Sequence, residues 1–123
     1  MIYKTRHFAR WARKIGLDDS LLEKAVVEIQ KRLLEVDLGG GVVKKRIALP
    51  GRGKRGSTRT LLATNLRDRW FFIFGFEKNE VENISEKELA ALKMLASDLL
   101  GMSAAQIKVA VEEGSLVEVE DEK

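Results

Sequence analysis

The 123-residue sequence has no cysteine, which excludes disulfide cross-links and thiolate metal sites. It has one histidine, His7, with no partner at catalytic spacing, so histidine-dyad RNA cleavage and nucleophilic triads are both set aside. Long apolar runs are missing as well. The opening MIYKTRHFARWARK is too polar for a signal peptide or a membrane span, and the longest apolar run, WFFIFGF at 70–76, is strand-sized. The expectation is a cytoplasmic protein with no membrane partner. What remains, 45% hydrophobic and 33% charged, describes a folded globular chain long enough for one core without covalent staples.

The net charge of +3 hides a strong asymmetry. Residues 1–78 carry 18 Lys/Arg against 8 Asp/Glu, whereas residues 79–123 carry 4 against 11. A basic block of this size favours polyanionic partners, because each neutralised phosphate releases condensed counterions. A solvated charged face is the plainer reading of the same numbers, and pattern must decide between them.

The pattern reads as one α+β domain over residues 1–123. Ile2 to Lys4 is a short strand. Thr5 caps a helix with apolar positions Phe8, Trp11, Ala12 and Ile15, and Gly16 ends it. Ser20 and Glu23 make a capping box for a second helix whose stripe is Leu22, Val26, Ile29, Leu33 and Val36. The span 5–36 is therefore expected to be an N-terminal helical hairpin, stopped by the glycines at 39–41. VVKKRIAL (42–49), TRTLLATN (58–65) and RWFFIFGF (69–76) have high strand propensity, and their short connections require antiparallel pairing. Ser85 and Glu88 box the start of a helix over 86–100 that buries Leu89, Leu92, Ala96 and Leu99. Ser103 and Gln106 start another helix, and SLVEVE (115–120) is an edge strand. The expected architecture is a helical hairpin packed on a small antiparallel sheet, with C-terminal helices.

The segment PGRGKRGSTRT (50–60) carries the spacing G-x-G-x-x-G at Gly51, Gly53 and Gly56. A dinucleotide fingerprint needs a helix after the glycines, and the residues that follow, STRTLLAT, are strand-like. Ser57 stands where a P-loop requires lysine. The segment reads instead as the tip of a long hairpin, with Pro50 closing the first strand. Lys44, Lys45, Arg46, Arg52, Lys54, Arg55 and Arg59 fall within 16 residues with no acidic residue between them. Strand alternation sends Lys44 and Arg46 to one face and Lys45 and Ile47 to the other. The hairpin returns Arg59 to that region, and Lys78 follows the central strand. The acidic residues Glu80, Glu82, Glu86 and Glu88 suit a helix start rather than a metal site.

Cations alone can cleave RNA, because the 2′-hydroxyl is a nucleophile supplied by the substrate. The protein then deprotonates it, stabilises the charged phosphorane and assists the leaving oxygen. A lysine held among like charges gives up its proton more readily, and arginine forks phosphate oxygens while keeping its charge. The same residues also make a purely electrostatic nucleic-acid clamp.

The run DLGGGVVKKRIALPGRGKRGSTRTLLA, followed by RWFFIFGFEKN, resembles the RelE-like toxins of type II toxin–antitoxin systems, in a branch near the HigB-type toxins. The resemblance extends over nearly the whole chain, to the ending EGSLVEVE. It implies the microbial-RNase sheet-and-helix fold and a cofactor-free, metal-independent mRNA endonuclease (an mRNA interferase) acting on the ribosome. It also implies a co-encoded antitoxin, often a helix-turn-helix repressor. On this resemblance Lys44 is base or phosphate ligand, Arg46 and Arg59 stabilise the transition-state charge, and Lys78 assists the leaving group. Lys45, Arg52, Lys54 and Arg55 hold the RNA backbone. Two departures stand out. RelE toxins carry a late tyrosine that stacks on the substrate base, and the sole tyrosine here is Tyr3; HigB-type toxins often use histidines, and none lies in the sheet segments. Phe76 and Trp70 are the aromatic alternatives, with core packing as their other role. A gyrase-inhibiting, ParE-like toxin and a non-catalytic nucleic-acid-binding module are the rival functions.

Overall fold

The computed structural model describes residues 1–32, 35–51, 58–77 and 84–119. In chain order the elements are β1 (Ile2–Thr5), α1 (Arg6–Ile15), α2 (Asp19–Gln30), β2 (Glu35–Gly39), β3 (Val42–Ile47), β4 (Thr58–Thr64), β5 (Trp70–Glu77), α3 (Glu86–Leu100), α4 (Ala104–Glu113) and β6 (Leu116–Glu118). The α+β class follows the sequence pattern, and three of the four helix starts lie where the pattern puts them. The Thr5 hydroxyl accepts from Phe8 N–H at 3.1 Å, and reciprocal capping boxes open α3 at Ser85/Glu88 and α4 at Ser103/Gln106. Each such cap satisfies backbone donors that a helix start leaves orphaned.

The second helix differs. Its cap is Asp18, two residues before the expected Ser20, because the Asp18 carboxylate accepts both Leu21 N–H at 3.1 Å and the Ser20 hydroxyl at 2.8 Å. The Ser20 hydroxyl is thus occupied as a donor to Asp18. These bonds, the Ser20 hydroxyl first, hold the Asp18 carboxyl below its ordinary pKa.

The helical stripe does not run on to Val36. α2 ends at Gln30, and Glu35–Gly39 pairs antiparallel with β3. Gly40 and Gly41, at φ 63° and 82°, form the two-residue turn between them, a conformation with two positive φ values that glycine adopts without steric cost. The glycines therefore build a hairpin rather than stop a helix.

The sheet order is β2-β3-β4-β5-β1-β6. β2 through β5 are antiparallel neighbours, as the short connections require, but β1 runs parallel to β5, with Ile2 opposite Trp70 and Lys4 opposite Phe72. The sheet is mixed, not antiparallel throughout. The short-connection argument constrains only strands adjacent in sequence, and β1 and β5 are joined through most of the chain. β6 then pairs antiparallel with β1 at the edge.

Helices cover both faces. α1 rests on β5 and β1, and α2 on β3, so the two N-terminal helices are carried by different parts of the sheet. The core on this side joins Phe8, Ala12, Leu22, Val26 and Ile29 to Val43, Ile47, Leu62, Trp70 and Phe72. On the opposite face α3 and α4, bent by 114° at their junction, bury Ala96, Leu99, Ile107 and Ala110 against Tyr3, Val42, Leu61, Ala63, Phe71 and Ile73. Arg69 Nη1 ties that bend to the sheet by donating to the carbonyls of Leu100 and Met102. Each large apolar side chain buried in these layers contributes about 1.5–3 kcal/mol.

Two irregularities set the functional end of the sheet. Between β4 and β5 the register shifts, with Leu61 opposite Phe74 but Leu62 opposite Phe72. Ile73 is the extra residue of this bulge, and Ile73 and Phe74 both meet the α3/α4 side. Gly75 lies under Trp11 of α1, where an added Cβ would fall 2.1 Å from the indole ring. Among the described residues no single helix is long and apolar enough to cross a membrane.

Candidate functional site

Alternation along β3 sorts its three cations as the sequence pattern predicts. Lys44 and Arg46 lie on the α3/α4 side of the sheet, whereas Lys45 lies under α2. The cross-strand register then builds two rows on that side. Arg46 stands opposite Arg59, which stands opposite Phe76. Two residue pairs further along, Lys44 stands opposite Leu61, which stands opposite Phe74. α3 and α4 cover this face from Val42, Ala63 and Phe71 as far as Leu61 in the Lys44 row, and the Arg46–Arg59 row lies beyond them. Arg46 is exposed, and Lys44 and Arg59 are half-buried.

Two arginines directly opposite each other on neighbouring strands are an unfavourable pairing for stability. Strands spaced at about 4.8 Å bring such side chains close enough to share one anion. Both flanking positions are fixed from below. The Thr60 hydroxyl donates to Lys45 O at 2.9 Å, and the Thr58 hydroxyl donates to Phe76 O at 3.0 Å. These buried hydroxyls stitch β3, β4 and β5 together on the face opposite Arg59, so the strand that presents it is held on two sides.

Lys45 is only 1% exposed, and its Nζ lies 3.0 Å from Glu28 Oε1 on α2. From this position an RNA contact requires α2 to move. Arg52, Lys54 and Arg55 at the hairpin tip, and Lys78 after β5, lie outside the described residues.

The aromatic residues divide clearly. Trp70 is 2% exposed, packed with the α1/α2 core. Tyr3 is buried on the other face against Phe71, ring centroids 5.4 Å apart, and burial, with the nearby Glu118 charge second, raises its phenol pKa. Neither ring faces the cations. Phe76 is 5% exposed. The pair that does reach the surface there is His7 and Phe74, stacked with planes 8° apart and centroids 6.0 Å apart, with Phe76 a further 6.2 Å from Phe74. His7 is exposed at the start of α1. Arg6 fixes that start by donating its backbone N–H to Ser115 O at 3.1 Å and its Nε to Gly114 O at 3.1 Å.

Sequence spacing assigned His7 to surface or helix packing. Its neighbourhood with Phe74 arises from the parallel β1–β5 pairing, which carries no local signal. Among the described residues no group of three His, Cys, Asp or Glu side chains is placed to hold a metal ion. In comparison with known families, the model for the RelE toxin of the RelE/RelB toxin–antitoxin system matches residues 1–119. A search of curated proteins gave no match.

Proposed function

Because this chain belongs to the RelE toxin family of toxin–antitoxin systems, we propose that it is a ribosome-dependent mRNA endonuclease that stops translation by cutting the message with a metal-independent cationic site. The observation that carries this reading is the Arg46–Arg59 cross-strand pair with Lys44 one row away on the same face. Such a cluster is useful to a substrate whose reacting centre gains negative charge.

In this reading the 2′-hydroxyl oxygen attacks the adjacent phosphorus, and its proton passes to Lys44 or to solvent beside it. The pentacoordinate phosphorane gains charge, which the Arg46 and Arg59 guanidinium groups neutralise by forked hydrogen bonds. The P–O5′ bond then breaks, leaving a 2′,3′-cyclic phosphate, and Lys78 protonates the departing 5′-oxygen. Arg52, Lys54 and Arg55 hold the backbone away from the scissile bond. Lys45 supports the strand from beneath rather than touching RNA. The toxin works where messages are translated, in the cytoplasm, and its antitoxin, on the resemblance of the sequence, is a small helix-turn-helix protein that holds it inactive.

Induced expression without an antitoxin tests the class of target. Incorporation of labelled amino acid should fall within minutes while thymidine incorporation and plasmid supercoiling persist. Loss of supercoiling with intact messages would assign the protein to gyrase inhibition instead. Absence of any growth defect would leave a nucleic-acid-binding module.

A further inference from the structure

The first helix carries more positive charge than its packing uses. Arg6, Arg10 and Arg13 recur at i, i+4 and i+7 of α1, and at 3.6 residues per turn they fall within an arc of about 60°, with Lys14 and His7 next to it. Phe8 and Ala12, on the opposite side, are buried, and all three arginines are exposed. α1 holds no acidic residue, and among the described residues none of the three arginines forms an ion pair. The acids that share a pocket with Arg13 are engaged elsewhere: Asp18 caps α2, and Asp19 pairs with Lys4 at 2.6 Å.

A helix face that is merely solvated is built differently, as α3 shows. Its first turn holds Glu86 and Glu88, which suit the positive end of the helix dipole. The first turn of α1 holds Arg6 and His7 instead, and Arg10 follows Arg6 at the spacing where like charges repel. The ridge is also held firmly. Trp11 beneath it covers Gly75, and Arg6 Nε donates to Gly114 O at 3.1 Å.

We propose that this arginine ridge is a second RNA-binding surface, and that its ligand is the phosphate backbone of double-stranded RNA. The choice of RNA over DNA rests on the nuclease reading; the choice of a polyanion rests on the ridge itself. Position argues for a second RNA segment. The core under α1 lies on one side of the sheet and the Arg46–Arg59 pair on the other, so a strand laid across that pair does not also run along α1. Side-chain type argues for a duplex. Single-stranded bases are held on free aromatic rings, but Phe8 is buried, Trp11 faces Gly75 and His7 lies flat on Phe74. Duplex RNA is recognised through its shape and its phosphates, which arginine forks. A membrane surface does not fit, because no exposed apolar side chain stands among the arginines. The ridge thereby anchors the chain to folded RNA while the opposite face takes the message.

The test uses the full chain and an RNA hairpin with a stem of about sixteen base pairs, beside an unpaired strand of equal length and a DNA duplex of the same sequence. Arg10→Glu and Arg13→Glu should each weaken hairpin binding about ten-fold or more, with single-strand binding and urea unfolding unchanged. Arg59→Ala should do the reverse, losing the single strand and keeping the hairpin. Hairpin binding that both ridge variants retain overturns the proposal, as does an equal loss on hairpin and single strand. A DNA duplex bound as tightly as the hairpin, with the same dependence on Arg10, overturns the choice of RNA. Hairpin binding that needs Arg10, in a chain that neither cuts messages nor uses Arg59 for single strands, supports the ridge and removes the nuclease reading alone.

Discussion

Lys45 Nζ lies 3.0 Å from Glu28 Oε1 beneath α2, while the residues on either side of it in sequence, Lys44 and Arg46, belong to the opposite face of the sheet. One tripeptide thus supplies both a buried structural cation and two cations of the candidate site. The lysine is 1% exposed and the glutamate side chain 35%, so the pair is half in water, and its contribution is well below that of a fully buried pair. Glu28→Ala should cost about 1–3 kcal/mol in urea unfolding, because a charge in the sheet loses a partner. Lys45→Met should cost less, and the double variant Glu28→Met/Lys45→Met less than the sum of its parts. Loss of toxicity in Lys45→Met at unchanged stability would instead place Lys45 on the substrate.

Gly75→Ala should destabilise by about 1–3 kcal/mol, since the new methyl would overlap the Trp11 ring that covers Gly75. The cause is steric and has a specific remedy. Trp11→Leu in the same chain should recover part of the loss, and thermal unfolding of the single and double variants measures it. Equal and additive losses would show that the indole is not the obstacle.

The Asp18 cap predicts an acid-side dependence. Its carboxyl is held below the ordinary value by the Ser20 hydroxyl and by Leu21 N–H, so the folded state favours the ionised form. The contribution is therefore complete above the unfolded-state value of about 3.9 and is lost as pH falls through the lower folded-state value. Asp18→Ala should cost about 1 kcal/mol near neutrality, and its difference from wild type should shrink below about pH 4. Asp18→Asn, which still caps but carries no charge, should lose only part of that amount at neutral pH, and its own cap should show no such acid-side loss. A difference between Asp18→Ala and wild type that stays constant down to pH 2 would contradict the account.

Arg46→Ala should weaken binding to single-stranded RNA and lower the slope of log affinity against log salt by about 0.7 for each phosphate contact removed. A truncation on the far face, such as Lys14→Ala, serves as the control, because Lys14 is exposed on α1. Equal salt slopes for the two variants would deny the cationic row its proposed substrate.

What the sequence made legible followed from local chemistry. The capping boxes at Ser85/Glu88 and Ser103/Gln106 act within one turn, and the hairpins from β3 to β5 follow from short connections. The separation of Lys44 and Arg46 from Lys45 needs only the two-residue period of a strand. The features that escaped are those made by distant segments. Val36 continues a helical period by chance, and only pairing with β3 turns residues 35–39 into a strand. The parallel β1–β5 pair joins segments almost seventy residues apart in sequence, and it alone sets His7 on Phe74. The extra residue at Ile73 cannot be read from an all-apolar run, because every position in WFFIFGF suits either face.

The central claim is that the Arg46–Arg59 face cleaves messages during translation, and primer extension on mRNA from a cell-free translation reaction tests it most directly. Wild type, Arg59→Ala and a reaction without ribosomes are compared on one message. The account predicts new 5′ ends that appear only with wild type and only with ribosomes, and a rate for Arg59→Ala lower by about 100-fold or more. An intact message in the wild-type reaction, or cleavage at the same positions and rate by Arg59→Ala, would contradict it.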